Sequence, residues 1–186
     1  GGVHSHMDHL KALIDIAISK GVVSIKIHAI LDGRDTEQKA AEKNLPELVK
    51  FLQSRPVAKI ATIQGRYYAM DRNEKWERTA LAYNLIMRRD AKFQYSDPVS
   101  ALRDAYQRNE TDEFVSPTSI VDGEITDQSV QNNDVGLFFN FRADRARQLT
   151  ECLSARKFSK FSRELNLIDC KVLTFFKLLE FHPKGK

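Results

Sequence analysis

Three apolar, β-branched runs, at residues 22–31, 57–63 and 135–141, are each followed by a charged loop and then by a stretch with helical spacing. Apolar runs of this kind suit strands buried on both faces. Helices of the intervening length can carry the chain from one parallel strand to the next. The alternation therefore predicts an α/β fold, a mostly parallel sheet flanked by helices and folded as a single domain. A chain of 186 residues supports one full-sized core and not two comfortable ones.

The local signals are specific. Ser5-His6-Met7-Asp8 has the look of a capping box, and Leu10, Leu13, Ile14 and Ala17 then recur at helical spacing up to Gly21, which suits the residue after a helix. A helix is predicted over 36–53, where Pro46 must kink it or start a fresh segment. Trp76, Ala80, Tyr83 and Met87 mark a third helix, and Ser96-Asp97-Pro98 opens a fourth. Residues 114–120 read as extended, Asp122-Gly123 as a turn, and 142–153 as the helix after the last clear strand.

Charge and composition exclude several classes. No apolar run reaches membrane-spanning length, and no basic segment with an apolar core opens the chain, so neither a membrane span nor a signal peptide is expected. The two cysteines, Cys152 and Cys170, are too few for a disulfide-stapled secreted domain and form no C-x-x-C pair, which points to the cytoplasm. A formal net charge of +4 could serve nucleic acid or a small anion. The arginines are dispersed to strand ends rather than gathered in a stripe with interleaved aromatics, so a small anion is expected and nucleic acid is not.

In open α/β sheets ligands bind beyond the carboxyl ends of the strands. The loops there supply Arg34 and Asp35, then Arg66, Asp71 and Arg72, then Arg142, Asp144, Arg145 and Arg147, with His4, His6 and His9 added by the amino end. Guanidinium forks bind phosphate and carboxylate bidentately and fix orientation as well as charge. Any one of these arginines could equally be a solvated surface charge. His9 on a helix and the Tyr67-Tyr68 pair are read as packing residues. His4-x-His6 with Asp8 lacks a second ligand cluster, so no metal site is expected in this chain. There is no P-loop, no G-x-S-x-G elbow and no G-x-G-x-x-G fingerprint.

Gly1-Gly2-Val3-His4-Ser5-His6, Leu31-Asp32-Gly33-Arg34-Asp35, Gly65-Arg66-Tyr67-Tyr68-Ala69-Met70-Asp71-Arg72, Thr111-Asp112-Glu113-Phe114 and Phe139-Asn140-Phe141-Arg142-Ala143-Asp144-Arg145-Ala146-Arg147-Gln148 follow one another along the chain. In order and spacing this set resembles the phosphotransferase, substrate-binding domain of cofactor-independent (2,3-bisphosphoglycerate-independent) phosphoglycerate mutases. The resemblance spans about residues 1–153. Residues 154–186 form a divergent basic segment, with 170–178 read as one further strand.

The resemblance implies an isomerase that interconverts 3-phosphoglycerate and 2-phosphoglycerate in glycolysis and gluconeogenesis through a phosphoserine intermediate. It implies two manganese ions in the full-length enzyme, held with that serine on a phosphatase-like domain that would be this chain's partner, and none bound here. Carried over position by position, it implies substrate contacts at His4, Arg34, Asp35, Arg66, Arg72, Arg142 and Arg145, with Asp35 handling the hydroxyl proton. The expectation is of an excerpt lacking the metal-binding domain. A non-catalytic phosphoglycerate-binding module and a degenerate fragment are the alternatives. The purified chain is expected to show no mutase turnover with or without manganese, because the nucleophile is missing. A coupled assay in protein free of host mutase checks this, and turnover at ordinary enzymatic rates would contradict it.

Overall fold

A computed structural model describes residues 2–121, 130–131 and 134–163, together with the backbone of 169–172. The elements run α1 (Met7–Ser19), β1 (Ile25–Leu31), α2 (Ala41–Leu52), β2 (Ala58–Gly65), α3 (Arg66–Ala69), α4 (Trp76–Arg88), β3 (Phe93–Tyr95), α5 (Pro98–Gln107), a 3-10 turn (Asp112–Phe114), β4 (Thr118–Ile120), β5 (Val135–Phe138), α6 (Arg147–Ser154) and β6 (Asp169–Val172). A four-stranded sheet has the order β1-β2-β4-β3, and β5 pairs with β6 in a second sheet. The β1/β2, β3/β4 and β5/β6 pairings are parallel, while β2/β4 is antiparallel. The expected fold is present as an open, mostly parallel α/β sheet in one domain, with two differences. One pairing is reversed, and β5 lies in its own small sheet among the described residues.

Several boundaries move for identifiable reasons. His6, not Ser5, caps α1: the backbone N–H of Asp8 donates to His6 Nδ1 at 3.2 Å. β1 begins at Ile25, whose N–H donates to Val57 O at 2.7 Å, and Val23 before it is 83% exposed. The 36–53 helix starts only at Ala41, with Pro46 inside it. Of 114–120, Phe114 ends the 3-10 turn and only Thr118–Ile120 is strand. Arg142 to Ala146 form a turn that precedes α6 instead of its first residues. Asp97 caps α5 as expected, accepting from Ser100 N at 2.7 Å with Pro98 at the first turn. The Asp122-Gly123 turn and residues 173–178 of the last expected strand lie outside the described residues.

Two cores sandwich the main sheet. Ile27, Ala29 and Leu31 of β1 face a cluster with Ile14, Leu45, Leu48, Leu102 and Ala105. Ile30 faces the other, built on Tyr83, Ile86, Leu149, Cys152 and Leu153. Between Ile27 and His28 the register with β2 slips, because Ile27 pairs with Ile60 and His28 with Thr62. Ala61 is therefore an extra residue on β2. It reverses the in/out phase, so Ala58, Ile60 and Ile63 all reach the first core although they do not alternate in sequence. The same phase turns Gly65 toward the 3-10 turn.

That turn is the clasp of the site end of the sheet. Asp112, 1% exposed, accepts from Ala41 N at 2.8 Å and from the Tyr106 hydroxyl. No side chain of its own neighbourhood caps α2, so a carboxylate from far along the chain satisfies that free N–H. Burial, opposed by the Tyr106 and Ala41 hydrogen bonds, pushes the Asp112 carboxyl above its usual range. The turn then presses on two glycines. A Cβ on Gly33, whose φ is +64°, would lie 2.7 Å from Glu113 N, and one on Gly65 would lie 2.1 Å from Glu113 O. Gly65 has φ −75°, a conformation open to any residue, so its requirement is purely one of space.

No helix among the described residues is long and apolar enough to cross a membrane. Gly65→Ala is expected to lose about 1–3 kcal/mol of stability through overpacking. Gly2→Ala, with nothing within 4 Å of the added carbon, should be neutral. Urea denaturation of the two variants checks the contrast, and equal midpoints would contradict it.

Candidate functional site

Arg66 opens α3 directly after β2, with its side chain 3% exposed. A guanidinium cannot shed its charge, so a buried one must be neutralised where it stands. Its Nη1 donates to Asp32 Oδ1 at 2.7 Å and to Asp35 Oδ2 at 2.6 Å, both from the loop after β1. Asp32 also folds that loop, accepting at Oδ1 from the backbone N–H of Asp35 at 3.0 Å and of Arg34 at 3.3 Å. Burial opposes the charge on Asp32, yet these backbone N–H groups and Arg66 hold its carboxyl down to about 2. The Arg66 hydrogen bond likewise holds Asp35 below the carboxylate range.

His4 completes this group. It is buried, and its Nε2 lies 3.2 Å from Asp35 Oδ2 and 3.4 Å from Arg66 Nη2. Burial first, then the Arg66 charge, lowers its pKa, so the ring is neutral. The hydrogen is assigned to Nε2, facing the carboxylate, which leaves Nδ1 buried without a partner. Its backbone ties the amino end to the third loop, since Phe141 N donates to His4 O at 2.6 Å. His9 packs edge-on against Phe141, as a packing residue should.

Around this buried group stands a ring of more exposed arginines. Arg72 and Arg142 share Asp144 Oδ2, at 2.6 and 3.3 Å. Arg34, 59% exposed, meets Glu113 at 3.3 Å. Arg145 donates to the carbonyl of Met70 at 3.0 Å, and burial together with the charges of Arg66, Arg72 and Arg34 lowers its pKa. Arg145, on the third loop, thus feels the charges of guanidiniums on the other two, although β5 is not in the main sheet. The loop after α3 is itself pinned: Asp71 Oδ2 accepts from Asn73 N, Lys75 N and Gln148 Nε2.

Of the candidates named from the sequence, His4, Asp35 and Arg66 form one contact group, Arg72 and Arg142 meet at Asp144, and His6 and His9 are turned to capping and packing. Of the counter-charges, Asp144 was named with its loop but given no part, while Asp32 and Glu113 were not singled out as site residues. Asp32 stands two residues before Arg34, whereas Glu113 reaches Arg34 from far along the chain. His6 is engaged in capping α1, and among the described residues no group of three or more His, Cys, Asp or Glu gathers that could hold a metal ion. The manganese ions that the resemblance implies belong to the companion domain, and the described residues of this chain offer them no ligand set.

Because Asp32 has its pKa depressed from 3.8 to about 2, it contributes stability above about pH 4 that is lost as pH falls toward 2. The size is roughly 2 kcal/mol. Urea midpoints at neutral pH and near pH 2.5 are expected to differ less in Asp32→Asn than in the wild type. An unchanged difference would show that Asp32 is not held by Arg66.

The family described as the BPG-independent PGAM N-terminus matches residues 1–182, which extends past the last of the motifs near residue 153. The 2,3-bisphosphoglycerate-independent phosphoglycerate mutase 1 of Methanosarcina barkeri is 51% identical over 165 residues, 88% of this chain and 32% of that protein. The corresponding enzyme of Francisella tularensis subsp. novicida is 43% identical over 187 residues, all of this chain and 35% of that protein. A crystal structure of Leishmania mexicana phosphoglycerate mutase, determined at low cobalt concentration, superposes with a TM-score of 0.84 at 25% identity, covering 93% of this chain and 33% of that one. The chain spans about a third of the length of the relatives it matches. With a family match over nearly its whole length and the fold of a solved mutase behind it, the chain belongs to the BPG-independent PGAM N-terminus family.

Proposed function

We propose that this chain is the substrate-binding part of a phosphoglycerate mutase, an isomerase interconverting 3-phosphoglycerate and 2-phosphoglycerate. The phosphoserine and the manganese ions would be carried by a companion phosphatase-like domain, in the cytoplasm. What supports this reading is that Arg66 holds Asp35 beside His4, that Arg72 and Arg142 share Asp144, and that the charges of Arg66, Arg72 and Arg34 bear on Arg145. Phosphoglycerate has an anion at each end, and phosphoryl transfer relies mostly on positioning and charge stabilisation.

Each residue then has a part. Arg34, Arg72, Arg142 and Arg145 hold the phosphate and carboxylate from the rim. Arg66 works from beneath, fixing Asp35, which in turn holds His4. With Asp35 Oδ2 taken by Arg66 and His4, its Oδ1 has no partner among the described residues and is left for the glycerate hydroxyl. Asp35 is held ionised and is a weak base. It takes the proton as the hydroxyl oxygen bonds to phosphorus and the bond from phosphorus to the companion domain's serine oxygen breaks, because that proton then becomes strongly acidic.

Calorimetric titration of the chain with 3-phosphoglycerate tests the proposal. Binding should weaken as salt rises. Arg145→Ala and Arg142→Ala should each lose about 1–3 kcal/mol of binding free energy. Arg156→Ala, an exposed residue beyond α6, should lose almost none. Equal losses at all three positions would mean a charged surface and no shaped site.

A further inference from the structure

Asp144 is an acid within the crevice to which the proposed chemistry gives no part. Its Oδ2 alone receives both Arg72 Nη1, at 2.6 Å, and Arg142 Nη2, at 3.3 Å, so one oxygen bridges guanidiniums from two different loops. Its Oδ1 is buried and has no hydrogen-bond partner. A guanidinium grips an anion best through two parallel N–H···O bonds, and neither arginine has that arrangement here. The pair is also open to water: Arg72 is 47% exposed, Arg142 51% and Asp144 31%. Exposed pairs are weak and readily give up one partner for another. Arg66 is the contrast, since parting it from Asp32 and Asp35 would strand a charge that is 3% exposed.

We infer that Asp144 is an exchangeable internal anion, which bridges Arg72 and Arg142 and yields them to the phosphate or carboxylate of the ligand. The inference rests on the reading of this crevice as a phosphoglycerate site and adds the way in which it is filled and emptied. Two like charges brought together by separate loops repel, and the bridge holds both in place before any ligand arrives. The bridge also competes with the ligand. An anion leaving the arginines is replaced by a carboxylate already beside them, so departure does not leave two facing cations unpaired. Asp144 is on this view a positioning residue whose charge lowers affinity while its place keeps the fork assembled. Arg145 is held by a backbone carbonyl instead, and Asp144 acts on it through its charge without a hydrogen bond.

Titration of the chain with inorganic phosphate and with 3-phosphoglycerate tests this in wild type, Asp144→Asn, Arg72→Ala and the double variant. Asp144→Asn should bind both anions about three- to tenfold tighter, the factor expected on removing a weak competing pair. The gain should shrink in the Arg72→Ala background, because one of the freed guanidiniums is then gone. A role confined to holding the loops predicts the opposite sign, with weaker binding and a lower melting temperature together, and that result overturns the inference. So does unchanged affinity. A measurement on the wild type alone covers failure of the variant to fold: the side-chain carboxyl carbon of Asp144, followed by NMR, should shift as phosphate saturates the chain, and an unmoved resonance overturns the inference. Wild type that binds neither anion would sink the proposed site and the exchange together. Binding by the wild type without a gain in Asp144→Asn would sink the exchange alone.

Discussion

A permanently charged side chain buried to 3% exposure sets the terms for everything around it. Arg66 cannot be left without counter-charge, and the loop after β1 supplies Asp32 and Asp35. That requirement fixes the loop, because Asp32 must also accept from the backbone of Arg34 and Asp35 to hold its place. It fixes the amino end, because His4 stacks its own polar edge on the same ion cluster. It also fixes the pressure from above, since Gly33 and Gly65 flank the cluster and admit only the backbone of the 3-10 turn. The strand ends, the glycines and the acids form one constraint seen from different residues.

The crevice therefore contains two grades of ion pair. The inner grade, Arg66 with its two acids, behaves as part of the fold: removing one partner exposes the full cost of burying the other. The outer grade, Arg34 with Glu113 and Arg72 with Asp144, stands at the surface, where pairing has little energetic weight. On the proposed reading, a site that takes up a molecule with an anion at each end and lets it go gains from this division. Rigid geometry comes from the inner layer, and the exchange of partners is confined to the outer one.

Much of this was legible in the sequence. The strands at 25–31 and 58–65 and the helices starting at Trp76 and Pro98 announce themselves through apolar runs, spacing and the Asp97-Pro98 cap. What was not legible has a common cause, the long-range partner. The cap of α2 is Asp112, seventy-one positions away, so the helix could not be seen to begin at Ala41. The direction of β4 depends on which strand it meets, and three residues at Phe93–Tyr95 carry no readable period. The arginines were named from the sequence because they stand at strand ends, where a small anion would call for them. Their partners were harder to see, because Asp32 meets Arg66, Glu113 meets Arg34 and Asp144 meets Arg72 across different loops.

The hydrogen bond from Phe141 N to His4 O joins residues nearly the whole described chain apart. During synthesis the amino end leaves the ribosome first, and domains fold as their segments become available. β1, β2 and their helices can pair early, yet His4 has no fixed seat until residue 141 has emerged and been placed. Contacts of such long sequence separation form late, after the entropy of closing the loop has been met. The seat of His4 beside Asp35 is then among the last parts of the domain to close, while Arg66 with Asp32 and Asp35 can already assemble between β1 and β2.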